Sequence, residues 1–187
     1  MKKTSHFIWI ELKSQLFVNV YNKIYEYIKI NNIENIVTLQ NILSIHITLY
    51  YLEKNLNKTD KIIIKKDISK LDLEKDIYVS WFDYFLRKWN KLVLYFTPKT
   101  DLDFKCIRDK FHNKFNRNKV YDNSFDFLPH ITFLKINNSD IFEKHITNIE
   151  NILKKEIYKL TDENINSNKA YLYSVNSKFK EEIQIQN

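Results

Sequence analysis

The chain has 187 residues, a formal charge of +7, one cysteine and no glycine, a length that suits one domain or two small lobes around a real core. The absence of glycine excludes the Gly-rich phosphate cradles of P-loop and dinucleotide-binding proteins, and a lone Cys106 excludes an internal disulfide or a cysteine-based zinc site. The charge suits a polyanionic partner such as RNA, although the basic residues are nearly all lysine, with Arg87, Arg108 and Arg117 the only arginines.

The N-terminal Met1–Glu11 is basic and then apolar, but the apolar run ends at Glu11 without a small-residue cleavage site. No uninterrupted apolar run approaches membrane-spanning length, so a soluble, cytoplasmic protein is expected. Phe7 to Leu12 reads as a strand. Ser14 is then placed as an N-cap for a helix whose inner face is Leu16, Val20, Ile24, Tyr27 and Ile28, ending near Asn31-Asn32. With no glycine available, turns needing positive φ must fall to Asn or Asp; Asn31-Asn32, Asn137-Asn138 and Asn176 are so placed. A connection of about a dozen residues then reaches Leu43 to Leu52.

That stretch, L-S-I-H-I-T-L-Y-Y-L, has a counterpart in Phe127 to Ile136, F-L-P-H-I-T-F-L-K-I. In a strand, residues two apart share a face. His46 and Thr48 therefore point one way, with Tyr50 on the same face as a candidate for base stacking. His130 and Thr132 pair likewise. Ile45, Ile47 and Leu49, with Ile131 and Phe133, point to the opposite, core side.

Between the two stretches, Asp60 to Leu73 is read as a helix, Ile77 to Arg87 as a long strand, and Leu92 to Thr97 as a strand stopped at Pro98. Thr100 or Asp101 should cap a helix running to Arg117 with Leu102, Ile107, Phe111 and Phe115 inward and Cys106 buried on it. Tyr121 to Asp126 is a polar approach loop, and Pro129 marks a strand start or edge. A third H-I-T triplet, His145-Ile146-Thr147, falls in a segment with helical spacing at Phe142, Ile146, Ile149 and Leu153. Residues two apart on a helix diverge by about 200°, so His145 is read as structural. His6 and His112 are expected to be exposed. Ala170 to Val175 and Phe179 to Ile185 read as a closing hairpin around Asn176-Ser177.

Each half of this layout runs strand, helix, His-x-Thr strand, helix, strand, with pseudo-repeats over roughly 7–87 and 91–185 within one bilobal domain spanning 1–187. The expected class is α+β, with antiparallel-rich sheets around a central cleft and helices outside.

Two His-x-Thr strands half a chain apart, the second reading P-H-I-T, resemble the 2H phosphoesterase superfamily, and in particular its 2′-5′ RNA ligase / RNA 2′,3′-cyclic phosphodiesterase branch. The resemblance implies a bilobal fold and cofactor-free, metal-independent chemistry on a 2′,3′-cyclic phosphate or a 2′-5′ linkage, with reversible 2′-5′ ligation as an option. It implies catalytic roles for His46 and His130 and phosphate contacts for Thr48 and Thr132. Lys135 is the basic residue close to the second motif. The expected partner is an RNA end or a small oligonucleotide or nucleotide, met by a monomer. Two alternatives stand beside this reading: a hydrolase of small signalling oligonucleotides, such as 2′-5′ oligoadenylates or cyclic nucleotides in immune evasion, and a non-catalytic RNA- or nucleotide-binding module. A metal site would need more ligands than two histidines on separate strands supply, and no H-x-H, H-E-x-x-H or Asp-rich cluster accompanies them.

Overall fold

The first helix begins where a hydroxyl can satisfy its orphan donors: Ser14 Oγ accepts from Phe17 N–H at 3.1 Å, in extended backbone, as an N-cap does. The computed structural model describes residues 6–52, 56–87, 91–115, 127–137 and 139–174. In chain order these form β1 (His6–Leu12), α1 (Gln15–Ile30), β2 (Val37–Leu39), a 3₁₀ turn (Ile42–Ser44), β3 (His46–Leu52), α2 (Lys58–Ile68), β4 (Tyr78–Arg87), β5 (Lys91–Lys99), α3 (Phe104–Phe115), β6 (Ile131–Ile136), α4 (Ser139–Leu160) and β7 (Asn166–Ser174). Asn32 carries φ 54° at the end of α1, as the lack of glycine requires. Asn168 carries φ 56° at a turn the sequence did not single out.

The fold is α+β. All seven described strands join one antiparallel sheet in the order β4-β5-β6-β3-β1-β7, with β2 added to β6. The sheet is therefore continuous, where separate sheets about a cleft were expected. Its two halves meet through a single register pair, Ile47 with Ile131, so β3 and β6 part on either side of it. The order is unchanged when β1 is exchanged with β5, β3 with β6 and β4 with β7.

One face of the sheet carries Ile8, Ile10, Ile47, Leu49, Leu94, Phe96, Ile131 and Phe133 into a core shared with buried residues of all four helices. The other face holds a separate cluster of Phe7, Trp9 and Tyr171 with Tyr173 against it. Among the described residues the helical layer thus lies on one side of the sheet, opposite the His-x-Thr face.

Several details differ from the sequence reading. β2 falls inside the stretch taken as a plain connection. β5 runs through Pro98, which pairs with Val79 of β4; β6 has left β5 beyond Phe96, so the missing N–H breaks no second ladder. The helix α3 is capped by Asp103, whose Oδ1 accepts from Cys106 N–H at 2.8 Å, while Thr100 Oγ accepts from Leu102 N–H in the preceding turn. Cys106 is exposed. His6 is buried where β1 passes between Leu52 and Ser174, and His112 is half-buried, its Nδ1 3.4 Å from Tyr50 Oη. The polar loop at 121–126, the end of α3 at Arg117 and the hairpin partner at 179–185 lie outside the described residues. Among the described residues no helix is long and apolar enough to cross a membrane.

The helices α1 and α4 are tied by a buried carboxylate. Lys23 Nζ donates to Glu156 Oε1 at 2.6 Å and Lys159 Nζ to Oε2 at 2.9 Å. The Lys23 hydrogen bond, reinforced by Lys159 against the opposing effect of burial, holds the Glu156 carboxyl below its ordinary 4.5. A carboxyl depressed in the folded state stabilises above its unfolded pKa, and that contribution is lost as pH falls through the folded value. Glu156→Gln should therefore lower the thermal midpoint at neutral pH, and the gap from wild type should close on acidification below 4.5. Thermal melts of both proteins across that range check it.

Candidate active site

β3 does not keep strict two-residue alternation. Thr48 stands opposite Trp9 of β1, but Tyr50 stands opposite Ile8, so Leu49 is an extra residue: a β-bulge. The bulge places Leu49 and Tyr50 together in the core. It leaves His46 and Thr48 on the other face and returns Tyr51 to their side, opposite Phe7. The same device recurs in β6. Thr132 stands opposite Tyr95 and Leu134 opposite Leu94, so Phe133 is the extra residue. Bulges re-aim side chains next to active sites, and here the two fall one residue beyond each His-x-Thr.

The four motif side chains surround the central pair Ile47–Ile131. His46 and Thr48 flank Ile47, and His130 and Thr132 flank Ile131, so all four side chains leave their strands on the face opposite that central pair.

Both rings are held in the same way. His46 Nδ1–H donates to the Ser44 carbonyl at 2.6 Å, and His130 Nδ1–H donates to the Leu128 carbonyl at 3.0 Å. A carbonyl oxygen can only accept, so Nδ1 keeps its proton and Nε2 is the nitrogen that gains and loses one. Aromatic rings from β1 pack against one ring and from β4 and β5 against the other. The centroid of Trp9 lies 4.2 Å from that of His46, and Phe7 lies 5.7 Å away. Phe85 and Tyr95 approach His130 nearly edge-on at 5.4 and 5.6 Å. The Tyr95 hydroxyl is hydrogen-bonded to Asp83, and burial together with that carboxylate raises its pKa above the ordinary 10.0, so it stays protonated.

His46, Thr48, His130 and Thr132 are thus brought to one face. Tyr50 is not: it is 5% exposed and faces the helices, because the bulge at Leu49 reverses the alternation on which its assignment rested. The residue missed from sequence is Tyr51, 52% exposed, with its ring 5.8 Å from Phe7. Strict alternation from His46 and Thr48 selects Tyr50, and only the bulge moves the choice to its neighbour. Tyr51→Ala should weaken substrate binding by about tenfold, the lower end of a base–aromatic stack, without lowering stability. Tyr50→Ala should instead cost about 3 kcal/mol of stability as a core truncation. Substrate titration and denaturant unfolding of the two variants separate the roles.

His145 lies on α4, its Nδ1 3.0 Å from Tyr27 Oη, as a structural residue would. Among the described residues no group of three His, Cys, Asp or Glu side chains is placed to hold a metal ion.

The fold as a whole is one antiparallel sheet with its described helices packed on a single face. Among solved structures it is similar to Usb1 of Kluyveromyces marxianus, with a TM-score of 0.53, 11% identity, and coverage of 91% of this chain and 92% of that one. A second structure of that protein, with uridine monophosphate, gives a TM-score of 0.48 at 9% identity, covering 92% of each chain. No family model and no curated protein matches the chain.

Proposed function

We propose that the chain is a metal-independent phosphodiesterase that opens RNA 2′,3′-cyclic phosphates or cleaves 2′-5′ linkages, acting as one bilobal unit built from two related halves. The observation that carries this reading is the matched setting of the two histidines, each with Nδ1 donating to the carbonyl two residues before it, which fixes one tautomer in both rings. An imidazole near its ordinary pKa can act as base or acid at neutral pH. One neutral Nε2 takes the proton from the attacking water as its oxygen bonds to phosphorus. The other histidine, protonated, passes its Nε2 proton to the ribose oxygen as the P–O bond breaks. The Thr48 and Thr132 hydroxyls donate to the non-bridging oxygens, where negative charge builds. No cofactor enters this scheme.

An oligoribonucleotide ending in a 2′,3′-cyclic phosphate, incubated with the chain in EDTA and resolved for ring-opened product, provides the test. Turnover should survive chelation. Activity lost to EDTA and restored by a divalent ion would replace this reading with a metal-dependent one.

A further inference from the structure

The end of β1 opens beside His46 into a cleft of about 560 Å³, within the size range of small-molecule sites. Its walls come from β1 (Glu11), Lys13 just beyond it, α1 (Val18), the 3₁₀ turn (Leu43) and β7 (Lys169, Tyr171). Three contacts make it continuous with the site above. Glu11 is the cross-strand partner of His46. Ile45, also in the wall, directly precedes His46. Tyr171 pairs with Trp9, whose ring packs on His46.

The lining includes lysines at 13 and 169 and the buried carboxylate of Glu11. Lys13 Nζ lies 3.3 Å from Glu11 Oε2, and the Tyr171 hydroxyl donates to the same oxygen at 3.5 Å. Leu43 stands 78% exposed at the rim, on the turn whose Ser44 carbonyl orients His46. An exposed leucine is a surface on which a flat heterocycle packs. Two lysines suit the anionic backbone attached to it.

We infer that this cleft is a base-binding subsite for the nucleoside joined to the phosphate held between His46 and His130, with guanine preferred. The inference rests on the phosphodiesterase reading for the position of that phosphate. The preference follows from Glu11, since a carboxylate is an acceptor only and takes several donors at once. The Watson–Crick edge of guanine offers it two adjacent N–H donors, whereas adenine turns an acceptor nitrogen toward it. The asymmetry belongs to this half alone, because the residue of β5 that follows Phe96, in the position that Glu11 holds on β1 after Ile10, is Thr97.

The full chain should be assayed with 2′,3′-cyclic GMP and 2′,3′-cyclic AMP, with bis(p-nitrophenyl) phosphate as a baseless diester, and its binding of 3′-GMP and 3′-AMP measured by calorimetry. KM should be lower for the guanosine substrate by about tenfold, the discrimination of one charged hydrogen bond, and Glu11→Gln should bring the ratio near unity. Val18→Trp, which fills the cleft without touching His46, should raise KM for both nucleotides and leave the baseless diester unaffected. Lys169→Glu, at an exposed position on the rim, should also raise KM and serves if the tryptophan variant does not fold. Equal KM for the two nucleotides in the wild type, or unchanged KM in folded Val18→Trp and Lys169→Glu, overturns the subsite. If no diester is turned over, the phosphodiesterase reading fails, and the calorimetry still decides the cleft: 3′-GMP bound tightly by wild type and weakly by Val18→Trp upholds it, and no difference overturns it.

Discussion

Alanine at His46 or at His130 is expected to cut turnover of a cyclic-phosphate RNA end by roughly 10²–10⁴, the contribution of one positioned acid or base. The double variant should be barely slower than either single one, because a transfer that needs both a proton acceptor and a proton donor fails when either is missing. The Nδ1 bonds to Ser44 and Leu128 make the two losses comparable, since each ring presents Nε2 in the same tautomer. Loss of Thr48 or Thr132 should cost less, roughly 10–10³, as removal of one donor to a charged oxygen does. The chain supplies its own control in the third H-I-T triplet, on α4, where His145 bonds Tyr27. His145→Ala should leave turnover unchanged at a modest cost in stability. Single-turnover rates of folded variants decide the matter, and a His145 variant as slow as His46→Ala would require the site to be redrawn.

The largest stability effect should come from Phe133→Ala. Phe133 is fully buried, with ring centroids 5.0 Å from Phe96 and 6.5 Å from Phe17. Truncating such a ring costs about 3–5 kcal/mol through lost burial and the cavity left behind. In a chain of this size that lowers the thermal midpoint by on the order of 10 °C. Phe133 is also the extra residue of the β6 bulge, and its burial fixes which face Thr132 and His130 take. The variant should therefore be slow even at temperatures where it remains folded. Circular dichroism melts paired with assays well below the midpoint test both parts, and a destabilised variant with wild-type turnover would detach the bulge from the site.

The two His-x-Thr segments were legible because strand alternation and a core face made of Ile47, Leu49, Ile131 and Phe133 leave one orientation for the residues between them. The helix holding His145 was legible for the corresponding reason at helical period. Tyr50 was misplaced because a bulge is a disagreement between two strands about count. It is written in the pairing of Thr48 with Trp9 and of Tyr50 with Ile8, which no single segment contains. His6 and Cys106 were misjudged for a like reason, since burial at the end of a strand or on the flank of a helix depends on what packs there.

By its own letters, then, the chain determined its α+β class, most of its strands and helices, the cap at Ser14, and the four side chains offered to one face, because periodicity and capping are local properties of consecutive residues. Only the tertiary structure decided that the halves share one sheet, that β3 and β6 meet at a single pair, that Tyr51 replaces Tyr50 on the site face, and that a cleft with Glu11 opens beside His46. Those features arise between segments far apart in sequence, where register, bulges and packing are settled by both partners at once.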